Sequence, residues 1–262
     1  MPRIVAKADN LNERNANFAQ ARLLEPVFLN SVPKCGTHLV RNIMRMFVPV
    51  DQQYHRAFIQ HAILRQHQVA FSEAVPHLSW GHLLFSDDAA IVLRNVRHIV
   101  QIRDPYAWVL ARTRFFLSDT FQGSLEHLKG GNVSIDEVIN MMIFGIHGKA
   151  PSLYEIFTHN AVSWLSTKVR LVRFEHLLHH VRNIETDEAE KFFGELLKDC
   201  GIAEMPGDWR ERVRIGSDRQ QSGTARENLV GGGVAVPDEL SDMQKALVNY
   251  AAPGLRNILG YE

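Results

Sequence analysis

The chain has only two cysteines in 262 residues, Cys35 and Cys200, and they lie far apart. That is too few for a disulfide framework or a four-thiolate zinc site, and it points to a cytosolic protein. No stretch approaches the roughly 18 uninterrupted apolar residues of a membrane-spanning helix. The polar start MPRIVAKADNLNERNANFAQ lacks the apolar core of a signal peptide. Neither sign of charge is in excess, with 29 Lys and Arg against 29 Asp and Glu. Proteins that hold the nucleic-acid backbone carry a basic surplus, so a broad nucleic-acid surface is excluded. Repeats and low-complexity blocks are also missing, which excludes a solenoid or a long tether.

What remains is an ordinary globular composition, 45% hydrophobic and 22% charged. It suits one α/β domain over residues 26–262 behind a polar arm at residues 1–25. Val27-Phe28-Leu29-Asn30-Ser31 reads as a buried strand, and a helix with apolar spacing Leu39, Ile43, Met44, Phe47 follows it. Residues 54–72 read as helical, and Asp87 and Asp88 as the cap of a helix running to about Asn95. His98 to Ile102 is a second strand. Asp104 and Pro105 then supply an N-cap and a first helical residue. Ser134 with Glu137 forms a capping box for a helix to about His147. Val169 to Phe174 is a third strand, with helices near 175–182 and 187–200. Strands alternating with helices imply a mostly parallel central sheet with helices on both faces, whose ligands sit at the carboxyl ends of strands.

Two of those strand ends carry cations. The first runs through Ser31-Val32-Pro33-Lys34-Cys35-Gly36-Thr37-His38 straight into a helix. Such a loop gathers the N–H groups of Gly36, Thr37 and His38 at the positive end of a helix, which suits a phosphate, and Lys34 adds a mobile cation. The spacing differs from a G-x-x-x-x-G-K-[ST] loop, because the Lys precedes the Gly. A tight turn with a solvated Lys is the plain alternative. The second strand ends at Arg103, in a stretch from Ile91 to Phe116 with five arginines and one acid. Arginine is suited to a bidentate grip on phosphate.

These segments carry a resemblance. Val32 to His38 resembles the 5′-phosphosulfate loop P-K-S-G-T-T of the PAPS-dependent sulfotransferases, and Ile99 to Pro105 resembles their 3′-phosphate motif. Val172-Arg-Phe-Glu-His-Leu177 is similar to the later Y-E-D-L element, and Ser222-Gly-Thr-Ala-Arg226 to the S-x-T-x-R segment, all in the family's order. The resemblance implies a P-loop-like phosphosulfate site made of Lys34, Cys35, Gly36, Thr37 and His38. It assigns Arg103, Thr224 and Arg226 to the 3′-phosphate. The family's base is a histidine upstream of that Arg. His82, 21 residues before Arg103, is the candidate, and His77 is its rival. The family's second 3′-phosphate ligand, a Ser, is replaced by Ala111, and Arg112 is the expected substitute. His38, Leu39, Phe174 and Glu227 also depart from the pattern.

The implied reaction moves a sulfuryl group from PAPS to a hydroxyl, less readily an amine, with His82 as base, Lys34 at the leaving phosphate, PAP as product and no metal. The acceptor class stays open among small molecules, carbohydrates and lipids. Residues 51–79 and 117–165 are the expected acceptor walls, with Tyr54, Phe58, Phe71, Trp80, Phe116, Phe121, Phe144 and Phe157 among them. The rivals are a nucleotide kinase with a variant P-loop and a PAP-binding protein without turnover.

Overall fold

The structure is a computed structural model that describes residues 3–4, 8–118, 121–123, 125–223 and 235–262. Five parallel strands form its sheet: β2 (Val27–Ser31), β3 (Ile59–Gln60), β4 (Leu78–His82), β5 (Arg97–Ile102) and β7 (Val169–Arg173), in the order β3-β4-β2-β5-β7. A separate antiparallel pair joins β1 (Arg3–Ile4) to β6 (Phe121–Gln122). β2 is central and buried at every position, its apolar Val27-Phe28-Leu29 suiting a parallel strand covered on both faces and its Asn30 and Ser31 buried with them.

The two faces follow from the period of two along each strand. Phe28, Val100 and Ile102 enter one core with Trp108, Val138, Met142 and Phe157, which come from α4 (Pro105–Leu117), α5 (Ile135–Phe144) and α6 (Leu153–Asn160). Val27, Leu29 and Ile99 enter the other, against Ile43, Phe193 and Val213 of α2 (Thr37–Arg45), α8 (Asp187–Asp199) and α9 (Trp209–Ser217). α7 (Phe174–Arg182) buries Leu177 on that second face. Helix α10 (Asp242–Ala251) and the short α11 (Leu255–Ile258) close the first face through Val248 and Leu255.

Several boundaries differ from expectation. Residues 54–72 are not one helix: β3 is followed by a 3₁₀ segment, His61–Phe71, kinked at His67. Only Leu64, Ala70 and Phe71 of that segment are buried, so there is no apolar stripe to hold a regular α-helix. Helix α3 (Asp87–Val92) is capped by Ser86, whose Oγ accepts from the Ala89 amide, and it ends before Asn95. The capping box of Ser134 and Glu137 is present, but α5 stops at Phe144, where Gly145 takes φ 84°. Phe174 opens α7 instead of ending β7.

The described part of the N-terminal arm packs against the domain. Its helix α1 (Leu11–Asn15) buries Leu11, and Asn15 Nδ2 donates to the carbonyls of Arg45 and Val48 at 2.6 and 3.0 Å. Asp9 receives Arg45 at 2.9 Å. The polar residues of this segment satisfy the orphan carbonyls and the buried cation at the end of α2. Among the described residues no helix is long and apolar enough to cross a membrane.

β4 reaches its place because Gly81 has no side chain. A Cβ there would lie 1.9 Å from the Ile59 carbonyl oxygen of β3. Gly81→Ala should therefore force the edge strand away and destabilise the fold by about 3 kcal/mol. A urea unfolding midpoint equal to that of the unmodified protein would contradict this packing.

Candidate active site

β2, β4 and β5 run parallel, so their carboxyl ends lie side by side and the chain segments leaving them converge. After β2, the Val32 amide still pairs with the Gln101 carbonyl at 3.0 Å, and the Cys35 amide closes a turn on Val32 O at 3.1 Å. Gly36 then caps α2 with φ 88° and no side-chain hydrogen bond. A Cβ at Gly36 would meet the Phe174 ring at 2.4 Å, so both backbone angle and space require glycine. In the first turn of α2 the Leu39 amide pairs with Gly36 O at 2.8 Å, and no acidic side chain lies in that turn beside the Thr37 and His38 amides. A helix end of this kind suits an anion. Lys34 sits at φ 69°, an uncommon angle for a side-chain-bearing residue, and its Nζ lies 3.5 Å from the centroid of the Phe115 ring. Burial, and then the nearby Arg103, lowers its pKa to about 8, so the ammonium persists near neutrality.

β4 ends on His82, and two side chains of β2 hold it there. Asn30 donates to Leu83 O at 3.1 Å and accepts from Leu83 N at 2.9 Å, fixing the backbone just beyond the histidine. The His82 ring places Nδ1 at 2.9 Å from Ser31 O and 3.1 Å from Ser31 Oγ. A carbonyl oxygen only accepts, so Nδ1 carries the proton and Nε2 holds the free lone pair. Ser31 Oγ is also 2.6 Å from Thr37 Oγ1 in the loop. The Phe58 ring stands edge-on to the imidazole with centroids 4.7 Å apart. Burial, with Lys34 adding to it against the Ser31 bond, lowers the His82 pKa to about 4. The ring is a neutral base at pH 7.

Arg103 follows β5. Its guanidinium lies 4.7 Å from the Phe174 ring centroid, and its buried Nε has no hydrogen-bond partner. A cavity of about 370 Å³ opens beside it, lined by Arg103, Ala107, Phe174, Glu175, Leu178, His179 and Arg182. His38 likewise keeps a buried Nδ1 without a partner, and burial followed by Arg41 and Lys34 pushes its pKa down to about 3. A larger cleft of about 830 Å³ adjoins Arg97 and Val169, at the opposite, amino ends of β5 and β7.

Lys34, Gly36, Thr37, His38, His82 and Arg103 thus belong to one end of the sheet. Two expected ligands do not serve that end. Arg112 is buried on α4 and donates to Met142 O at 2.9 Å and Pro151 O at 2.7 Å, so its guanidinium ties α5 and the 151 segment together. Cys35 turns a fully buried thiol, its pKa raised by burial, into the core, and its amide is committed to Val32 O. Thr224, Arg226 and Gly231 to Gly233 lie outside the described residues. His77 immediately precedes β4, five residues before His82 and therefore about 16 Å from it along an extended strand. That separation puts it at the wrong end of the sheet. Of the expected acceptor walls, Phe58 faces His82, whereas Tyr54, Phe71 and Phe157 are core. Asn30 and Ser31 carry no motif of their own. Their only signal in the sequence is a pair of polar residues closing a buried strand.

In overall shape the chain matches the crystal structure of mouse sulfotransferase SULT7A1 complexed with PAP. The match has a TM-score of 0.53 over 94% of this chain and 82% of that one, at 13% identity. The chain has the sulfotransferase fold. No family model matches the chain, and no curated protein matches it in sequence. Within this sulfotransferase fold, the loop after β2, the His82 imidazole and Arg103 occupy adjoining strand ends.

Three imidazoles make stability depend on pH. His82 (about 4), His38 (about 3) and His98 (about 3), each lowered mainly by burial, all sit below the ordinary 6.5. The unfolded chain therefore takes up these protons first as pH falls. The stability they contribute is complete above pH 6.5 and is lost toward pH 4. Each supplies a slope of up to about 1.4 kcal/mol per pH unit. Urea unfolding followed from neutral to mildly acidic pH should show a steadily falling free energy, and a flat profile would contradict the assignment.

Proposed function

We propose that the protein is a PAPS-dependent sulfotransferase acting on a hydroxyl of a small-molecule, carbohydrate or lipid acceptor. The observation that carries this reading is the His82 ring: Ser31 O holds its Nδ1–H, which leaves Nε2 unprotonated beside the start of α2 and a lysine that has no ion pair among the described residues. A base, an anion cradle and a cation at one site are what transfer of a charged group to a hydroxyl requires.

The residues present fit the nucleotide at both ends. The α2 amides, Thr37 and Lys34 suit the 5′-phosphosulfate, and the unpartnered Nε of Arg103 suits the 3′-phosphate. PAPS supplies an activated sulfuryl group whose leaving group is the phosphate of PAP. His82 Nε2 takes the acceptor hydroxyl proton as the new O–S bond forms. Lys34, with no carboxylate partner among the described residues, would offset the charge left on the phosphate oxygen that keeps the electron pair of the broken S–O bond. Phe58 closes one side of the base and offers an apolar wall to the acceptor. The resemblance would add Thr224 and Arg226, which lie outside the described residues, to the 3′ end.

A kinase reading needs a hydroxyl for Mg²⁺ directly after the loop lysine, and Cys35 stands there with its thiol buried. PAP at a hundredfold excess over its Kd should stabilise the folded chain by about 2.7 kcal/mol, raising Tm by about 5–10 °C. Lys34→Ala and Arg103→Ala should each weaken PAP binding at least about tenfold, as loss of a charge-assisted contact does. No shift at millimolar PAP would sink the proposal, and a shift with MgATP alone would favour the kinase. If PAP binds but no sulfuryl transfer from PAPS reaches any of a broad acceptor pool, the protein is a PAP-binding module.

A further inference from the structure

The geometry points to Ser31 as a positioning residue that couples the anion loop to the base: its hydroxyl joins Thr37 to His82 in one directed chain of hydrogen bonds. This rests on the sulfotransferase reading, since it takes the loop as the seat of an oxyanion and His82 as the base.

The direction of the chain follows from the donors and acceptors present. Ser31 O accepts the His82 Nδ1 proton at 2.9 Å, so that proton also faces Ser31 Oγ at 3.1 Å, and the hydroxyl oxygen acts there as acceptor. Ser31 Oγ has one hydrogen, and its close neighbour for it is Thr37 Oγ1 at 2.6 Å. Thr37 Oγ1 is then filled from the Ser31 side and keeps its own hydrogen for a further acceptor. Thr37 is the first residue of α2, among the amides that point out of the helix end. An oxyanion seated on those amides is the acceptor in reach.

The opposite polarity, with Thr37 donating to Ser31, would leave the Ser31 hydrogen facing the Nδ1–H, donor against donor. An anion on the loop, by accepting the Thr37 hydrogen, therefore reinforces the polarity that places oxygen lone pairs against Nδ1–H. That is the arrangement an imidazolium needs once Nε2 has taken a proton. Ser31 is fully buried and Thr37 nearly so, so water does not compete along the chain, and each bond polarises the next. The consequence is that filling the donor site prepares the base, although Ser31 touches neither substrate.

The test uses the full chain labelled with ¹⁵N-histidine, the His82 resonances being assigned with His82→Gln. Saturating PAP should move the Nδ1 signal of His82 in the unmodified protein. Each variant is titrated to saturation, Thr37→Val through a weaker Kd for PAP. Thr37→Val and Ser31→Ala should then lose most of that movement, and Ser31→Thr should restore it. Should Ser31→Ala fail to fold, Thr37→Val breaks the same chain from the loop side while keeping side-chain shape. A Thr37→Val protein whose His82 signal moves as far as in the unmodified protein overturns the coupling. So does a bound PAP that leaves His82 unmoved in the unmodified protein. Absence of PAP binding altogether overturns the sulfotransferase reading and this inference with it.

Discussion

The arrangement of the site depends on how two polar side chains at the end of β2 bind the exit of β4. A fully buried central strand would ordinarily end in apolar residues, and Asn30 and Ser31 have no exposed surface. Burying them is favourable only because every polar atom finds a partner. Asn30 uses both ends of its carboxamide on Leu83, and its Oδ1 also accepts from the Ser31 amide at 2.9 Å. Parallel pairing of Val27 to Asn30 with Leu78 to Gly81 brings the two strand ends level. The side-chain bonds then fix what the ladder leaves free, namely the direction in which the chain leaves β4 and the tautomer of the last ring on it. Both the imidazole and the loop hydroxyl are referred to the same two residues.

A second constraint acts against stability. Lys34 and Arg103 are mostly buried; burial and then Arg103 lower the Lys34 pKa, while burial lowers that of Arg103 with Arg114 adding to it against Glu175. Like charges brought together in a low-dielectric site repel, and each loses hydration as well. Aromatic faces offset part of that cost, with Phe115 under Lys34 and Phe174 beside Arg103, since a ring face attracts a cation without neutralising it. The carboxylate near Arg103, Glu175, is engaged by the Asp104 amide at 3.0 Å and the Tyr261 hydroxyl at 2.9 Å. Phe174 has a further effect, because its ring fills the space above Gly36 and so ties the start of α7 to the phosphate loop. The buried carboxamide of Gln101, without partners on either atom, lies against the same glycine. His38 Nδ1, both carboxamide atoms of Gln101 and Arg103 Nε are thus buried without partners at this end of the sheet, at a cost that a bound polar ligand would offset.

The parts of this site that could be read from the sequence are those with a local pattern. The apolar runs marked β2, β5 and β7, and the strand-loop-helix passage through Lys34 and Gly36 marked the anion loop. β4 was not legible as a strand, because Leu78-Ser79-Trp80-Gly81-His82 mixes polar and small residues in a fully internal position. Its Ser79 Oγ donates to Val27 O, and its Gly81 admits β3. Both roles depend on neighbours distant in sequence. His82 was still found, but by its spacing from Arg103 and not by its environment. The choice between it and His77 needed the direction of the strand. Asn30 and Ser31 were invisible for the same reason: a polar pair at a strand end says nothing until the partner across the sheet is known.

Arg103 and Arg112 show how a count of charge divides once the chain folds. The two residues are nine positions apart in one arginine-rich stretch, and sequence alone gave them a common role. Arg103 leaves the sheet at a strand end, where its guanidinium meets a ring face and an open cavity. Arg112 lies two turns into α4 and is turned into the protein. There it satisfies the carbonyl of Met142 in the last turn of α5 and that of Pro151, and it stacks near Trp108. A guanidinium with five donors can be structural glue or an anion clamp, and what decides is whether carbonyl oxygens reach it first. The neutral total charge divides in the same way. Acids of the α8 region are paired with arginines of β7 and α9, as in Arg170 with Asp199 and Arg210 with Glu190. Among the described residues Lys34 forms no ion pair and Arg103 has Glu175 nearby without an ion pair to it, so a chain with no net charge keeps two weakly compensated cations at the carboxyl edge of its sheet.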